Sequence, residues 1–192
     1  IISIDNYSSG TKKNEIKNKK IKYINDNTKN ISSIVNKYKK NIVNHCTYVI
    51  AGDGCLMEGI SQESISLAGH LKLKKLIILF DDNQISIDGP TSLATSDNQI
   101  ARFQASGWNA EKIDGHRPDQ IERSLKKAQT SQKPSLIACK TIIGYGSPNK
   151  SGKASSHGAP LGEEEVKLVR KKLKWNHIPF EIPKEILSEW RK

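Results

Sequence analysis

The chain has no apolar run near the roughly 18 residues that a membrane span needs. Its opening residues also carry no apolar block ending in a small-residue cleavage site. Neither a transmembrane protein nor a classically secreted one is expected. Cysteine is scarce. Cys46, Cys55 and Cys139 are odd in number and widely spaced, which gives no closed disulfide framework and no zinc-ligand pattern. A reducing cytoplasm is the expected location. Three phosphate or metal motifs are missing as well. No Gly-Lys-Ser/Thr follows a glycine-rich turn, which excludes a P-loop, and Met57 stands where the dinucleotide fingerprint needs its third glycine. The acidic run from Asp81 lacks the sixth-position glycine of a calcium loop.

Charge is present in excess but unevenly spread. The 192 residues carry a formal +11. The first 44 hold ten Lys, no Arg and three acids, a net +7 that leaves only +4 for the rest. Residues 1–40 form a low-complexity tract of Lys, Asn and Ile. Its apolar residues (Ile16, Ile21, Ile24, Ile31, Ile34) are too scattered for a long helical stripe, so a poorly ordered basic arm is expected, with one weak helix near 31–38. Nucleic acid is not an expected partner, because arginine is absent and aromatic interleaving is limited to Tyr7, Tyr23 and Tyr38.

From Thr47 the pattern changes to strands alternating with helices, and residues 41–192 read as one domain. Residues 47–51 (TYVIA) and 76–80 (LIILF) read as strands buried on two faces. Between them Ile60, Ser64, Leu67, Ala68 and Leu71 recur at helical spacing, as a βαβ crossover requires. Residues 97–106 read as a helix capped by Asp97 and stopped by Gly107. A third helix opens with Pro118 and Asp119 and turns Ile121, Leu125 and Ala128 inward. Residues 135–141 form the last clear strand. A Gly/Ser-rich loop (144–158) follows, and then a helix from Glu163 with three acids in its first turn. The expected fold class is α/β, a partial parallel sheet with helices on both faces.

The chemistry gathers after the first two of these strands. Gly52 and Gly54 strip side chains from around Asp53, so the backbone can approach a diphosphate with helix N–H groups facing it. Asp53 offers a hard carboxylate, Asn83 an amide oxygen, and Ile85 a backbone carbonyl two residues on. With two diphosphate oxygens and a water they complete an octahedral Mg²⁺ shell at about 2.0–2.1 Å. Between Gly54 and Asn83 there is room for one helix and one strand, which returns the chain to the same sheet edge, where such folds bind ligands. A Gly-Asp-Gly by itself is most often a plain turn, and the combination with Asn83 carries the reading. Cys55, with no base beside it in sequence, is expected to pack rather than react. His116 is assigned to the turn before the third helix, and the loop lysines Lys150 and Lys153 need no role beyond solvation.

The runs GDGCLMEGIS, DDNQISIDG, ARFQASGW, KPSLIACKTIIGYGSPNK and SHGAPLG together resemble the thiamine-diphosphate-binding domain of transketolase, over about residues 41–191. The resemblance implies that Asp53, Asn83 and the Ile85 carbonyl hold Mg²⁺ and that Gly54 and Asn83 touch the diphosphate. Ile85 and Ile87 would line the cofactor's apolar wall. Glu58 would belong to the carboxylate network near a subunit contact, and His157 would stand near cofactor and sugar as the catalytic residue. The implied activity is transfer of a two-carbon ketol unit between sugar phosphates. The cofactors are thiamine diphosphate and Mg²⁺, the substrate is a sugar phosphate, and the macromolecular partners are complementary transketolase segments or a second subunit. The family's earlier substrate histidines and its pyrimidine-binding domain have no counterpart here, so this chain is expected to be inactive without them. The alternative is a noncatalytic remnant or binding module.

Overall fold

A computed structural model describes residues 44–192 continuously, together with residues 2–5, 22–25, 30, 33, 34, 36 and 37. The chain forms two compact units, Ile1–His45 and Cys46–Lys192. In the first, β1 (Ile2–Asp5) pairs in parallel with β2 (Lys22–Asn25). The sequence pattern predicts no strand in these eight residues, where β-branched Ile and aromatic Tyr supply local strand propensity. Of the weak helix expected near 31–38, Ser33, Ile34, Asn36 and Lys37 are helical. The rest of the arm lies outside the described residues.

The second unit is built on a four-stranded parallel sheet. Its strands are β3 (Thr47–Gly52), β4 (Leu76–Asp82), β7 (Asn109–Asp114) and β8 (Ser135–Lys140), in the spatial order β3-β4-β8-β7. Registers Thr47↔Leu76, Ile77↔Ser135 and Asn109↔Ser135 bring all four carboxyl ends to one edge. A two-residue hairpin, β5 (Ile85–Ser86) with β6 (Gly89–Pro90), stands just beyond β4.

Side-chain alternation along the central strands sends Phe80, Leu136 and Ala138 to one face and Ile77, Ile137 and Cys139 to the other. The first face is covered by α1 (Asp53–Met57), α2 (Gly59–His70) and α3 (Gln99–Ala105). There Leu56, Ile65, Ala68 and Phe103 join the core, and Phe103 meets Trp108 edge-to-face at 5.0 Å. The second face is covered by α4 (Pro118–Gln129) through Ile121, Leu125 and Ala128, as its spacing predicts. Helices α5 (Glu163–Lys172) and α6 (Lys184–Trp190) follow the long loop.

Four details differ from the sequence reading. β3 is an edge strand, and Tyr48, Val49 and Ile50 are exposed, Ile50 at 82%. The inward face of α2 is Ile65, Ala68 and Gly69, while Ile60, Leu67 and Leu71 face outward. Gly69 decides this, because it passes so close to the turn after α3 that a β-carbon there would lie 1.8 Å from the Ser106 carbonyl oxygen. The cap of α3 is Asn98, whose Oδ1 accepts from Ala101 N at 3.0 Å, while Asp97 pairs with Arg102. Strand β7 has only Ile113 buried and gives no apolar run to read. Among the described residues no helix is long and apolar enough to cross a membrane.

Candidate functional site

The carboxyl edge of the sheet opens into a cleft of about 590 Å³ whose lining includes Asp53, Gly54, Asn83, Ile85, Ile87 and His157. Topology explains the convergence. Gly52 ends β3, Asp82 ends β4 and Lys140 ends β8, so the three loops that follow meet over the same edge.

The first two loops are tied directly. The backbone N–H of Gln84 donates to Asp53 Oδ2 at 3.2 Å across 31 residues of sequence. Gln84 reaches this position in a left-handed turn conformation, φ 63°. Asn83 folds over the same turn, its Oδ1 accepting from Ile85 N at 2.9 Å and its Nδ2 donating to Asp81 Oδ2 at 3.0 Å. The Thr141 hydroxyl donates to the other oxygen of Asp81, which joins the loop after β8 to the set. Burial raises the pKa of Asp53, and the neighbouring charges of Asp82 and Asp81 add to the rise; the Gln84 N–H and Lys140 work against it. A carboxylate crowded in this way gains from a cation.

The residues present fit a hard divalent ion beside a diphosphate. A β-carbon at Gly52 or Gly54 would meet nothing within 4 Å, so the turn borders open space into which a ligand can come close. Ile85 stands opposite Pro90 in the hairpin, and proline has no N–H to give, so the Ile85 carbonyl takes no ladder bond from that partner. Gln84, one residue earlier, spends its carbonyl on Thr91 N at 3.0 Å. The Asp53 carboxylate, the Asn83 amide oxygen and the Ile85 carbonyl are oxygens of the chemical kinds that Mg²⁺ takes.

The remaining candidates divide. His157 and Ile87 both line the cleft, His157 exposed and Ile87 with most of its surface open. Glu58 is not brought to the cleft. It precedes α2 on the surface, and its carbonyl accepts from Ser61 N and Gln62 N. Cys55 is exposed in the cleft lining, which corrects the expectation that it packs; its helix α1 buries Leu56 instead. His116 does sit in the turn before α4, stacked on Tyr145 at 4.0 Å, and its Nε2 accepts from Ile142 N at 3.1 Å. Sequence reasoning missed Asp81, Gln84 and Thr141. The acidic pair that ends β4 was the visible signal for Asp81, whereas Thr141 is 60 residues away and only the fold brings it there.

A parallel sheet covered by helices on both faces, with an acid-and-amide cleft at its carboxyl edge, defines an α/β ligand-binding domain of the open-sheet class. The particular family is transketolase. Residues 18–192 match the family model described as "Transketolase, thiamine diphosphate binding domain", and the chain belongs to that family. The match begins inside the Lys/Asn-rich tract, upstream of the limit drawn from motifs. Transketolase 2 of Escherichia coli is 58% identical over 151 residues, 78% of this chain and 23% of that protein. The transketolase of Buchnera aphidicola subsp. Acyrthosiphon pisum is 55% identical over 162 residues, 83% of this chain and 24% of that protein. Among solved structures, transketolase from Leishmania mexicana superposes with a TM-score of 0.77 at 38% identity, over 84% of this chain and 24% of that one. A Pichia stipitis transketolase in complex with sedoheptulose-7-phosphate superposes with a TM-score of 0.72 at 40% identity, over 76% and 22%. This chain spans about a quarter of the length of the relatives it matches.

Proposed function

We propose that this chain supplies the Mg²⁺- and diphosphate-binding half-site of a transketolase that transfers a two-carbon ketol unit between sugar phosphates in the cytoplasm. The observation that carries the reading is the bond from Gln84 N–H to the Asp53 carboxylate. It ties the Gly-Asp-Gly turn directly to the Asn83–Ile85 turn at the edge of the cleft. In this reading Asp53, Asn83 and the Ile85 carbonyl hold Mg²⁺, and Gly54 and Asn83 meet the diphosphate. Ile85 and Ile87 exclude water from the cofactor's rings. His157, which lines the same cleft, offers an imidazole that can hold or pass a proton at a substrate hydroxyl. Thiamine diphosphate, when bound, supplies the electron sink for carbon–carbon bond cleavage. Glu58, outside this chain's own cleft, is left for a partner surface.

Sugar phosphates as substrates are supported by the sedoheptulose-7-phosphate complex of the Pichia stipitis enzyme. Complementary segments or a second subunit supply the acid that activates the aminopyrimidine.

Calorimetric titration of the full chain with thiamine diphosphate, with and without Mg²⁺, tests the reading. Binding is expected only with the metal, and Asp53→Ala should weaken it by about 100-fold or more. Equal affinity in that variant would sink the assignment. A second reading is a binding module without catalysis. It predicts metal-dependent binding with no ketol transfer even after complementary transketolase segments are added.

A further inference from the structure

The loop that carries His157 is long, and the chain holds it from behind. Glu165, in the first turn of α5, is a buried carboxylate outside the cleft lining. It accepts from the Ser147 hydroxyl, from Asn149 N at 2.8 Å and from Asn149 Nδ2 at 2.8 Å. The same Ser147 Oγ accepts from Lys150 N at 3.0 Å, and the Lys150 carbonyl accepts from Ser156 Oγ at 2.6 Å. Ser156 directly precedes His157, and both line the cleft. The Lys150 amine closes the far side by donating to the Leu161 carbonyl at 2.9 Å. A continuous hydrogen-bonded path therefore runs from a buried charge to the cleft wall. Gly144 leaves room for it. A β-carbon at that position would lie 2.7 Å from Ser156 Oγ, and φ there is +62°.

We propose that Glu165 is a positioning residue for His157, fixing the 147–156 path so that the imidazole faces the cofactor cleft. A buried carboxylate persists where several donors satisfy it, and removing it strands those donors and frees the loop they hold. The inference rests on the cofactor reading above, since it assigns His157 a place beside the bound ligand.

The test is carbethoxylation of His157 by diethyl pyrocarbonate in the full chain, located by peptide mass, with His70 on α2 as internal reference. Mg²⁺ and thiamine diphosphate are held at about ten times each variant's own dissociation constant, so occupancy is matched and about tenfold slowing is expected wherever the ligand shields the imidazole. Wild type should show that slowing. Glu165→Ala should lose most of it although its cleft is equally filled. Glu165→Gln should keep it, because Asn149 can turn its amide round to meet the new NH₂ group. Full protection in Glu165→Ala overturns the proposal, and so does equal loss in Glu165→Ala and Glu165→Gln. If Glu165→Ala does not fold, Ser147→Ala breaks the same path one step later. It should lose protection, and full protection there is equally fatal. Absence of ligand-dependent heat or protection in wild type would sink the cofactor reading alone. The loop is then judged from amide exchange at residues 154–158 in the ligand-free chain, which should be faster in Glu165→Ala than in wild type; unchanged exchange overturns the positioning role.

Discussion

Glu165 shows what one side chain gains from its surroundings. Hydrogen bonds from the Ser147 hydroxyl, then from the Asn149 side chain and backbone, hold its carboxyl down at about 2, against an ordinary value of 4.5. A carboxyl whose folded pKa is depressed contributes stability above its unfolded pKa, and that contribution is lost as pH falls through the folded value. Urea denaturation of wild type and Glu165→Gln should therefore differ at neutral pH. The difference should shrink as pH falls from 4.5 toward 2; a gap that stays constant over that window would argue against the carboxylate as its source. Cys139 shows the opposite case, since burial, aided by the charge of Asp81, raises its thiol pKa. It should stay unmodified under thiol reagents that label exposed Cys55. Phe103 is fully buried against Trp108, and Phe103→Ala should cost about 3–5 kcal/mol in chemical denaturation.

Helices in this chain are placed by contacts that local sequence signals do not rank. Asp97 and Asn98 are both good capping residues in the sequence, and in the structure Asn98 accepts the helix N–H while Asp97 turns to Arg102. Asn98→Ala should cost about 1 kcal/mol, measured by thermal or urea unfolding. Asp97→Ala, which removes a partly exposed ion pair, should stay within about 0–1 kcal/mol. The orientation of α2 is fixed in the same way. Ile60, Leu67 and Leu71 give a plausible apolar stripe, but the close approach of Gly69 to the Ser106 carbonyl turns the stripe outward. Gly69→Ala should destabilise the fold by roughly 1–3 kcal/mol or more, because backbone, not a flexible side chain, blocks the added methyl.

For the whole Cys46–Lys192 unit the informative contrast lies between the two edges of the sheet. β7 carries Glu111 and Lys112, paired with Lys127 and Asp82, which is how exposed edges are guarded. β3 carries no charge, and Tyr48, Val49 and Ile50 are exposed along it. An unguarded edge of this kind promotes association. Ile50→Lys should leave the unfolding midpoint nearly unchanged while lowering concentration-dependent light scattering; equal scattering in both proteins would clear the edge of blame. Much of this unit was legible in advance. The strands at Tyr48 and Ile77, the inward face of α4 and the placing of Asp53 and Asn83 in loops at one sheet edge follow from periodicity and spacing, because backbone geometry converts spacing into direction. β7 was invisible because an edge strand with one buried side chain needs no apolar run, and its strand character comes from pairing with β8. The sequence by itself determined the α/β class, the family and that the loops of Asp53 and Asn83 leave the same edge of the sheet. Only the tertiary structure decided which strand lies open, which face of α2 turns inward, and that Gln84, Thr141 and Glu165 organise the cleft. Those outcomes depend on hydrogen bonds and steric contacts between residues far apart in the chain, which no local pattern encodes.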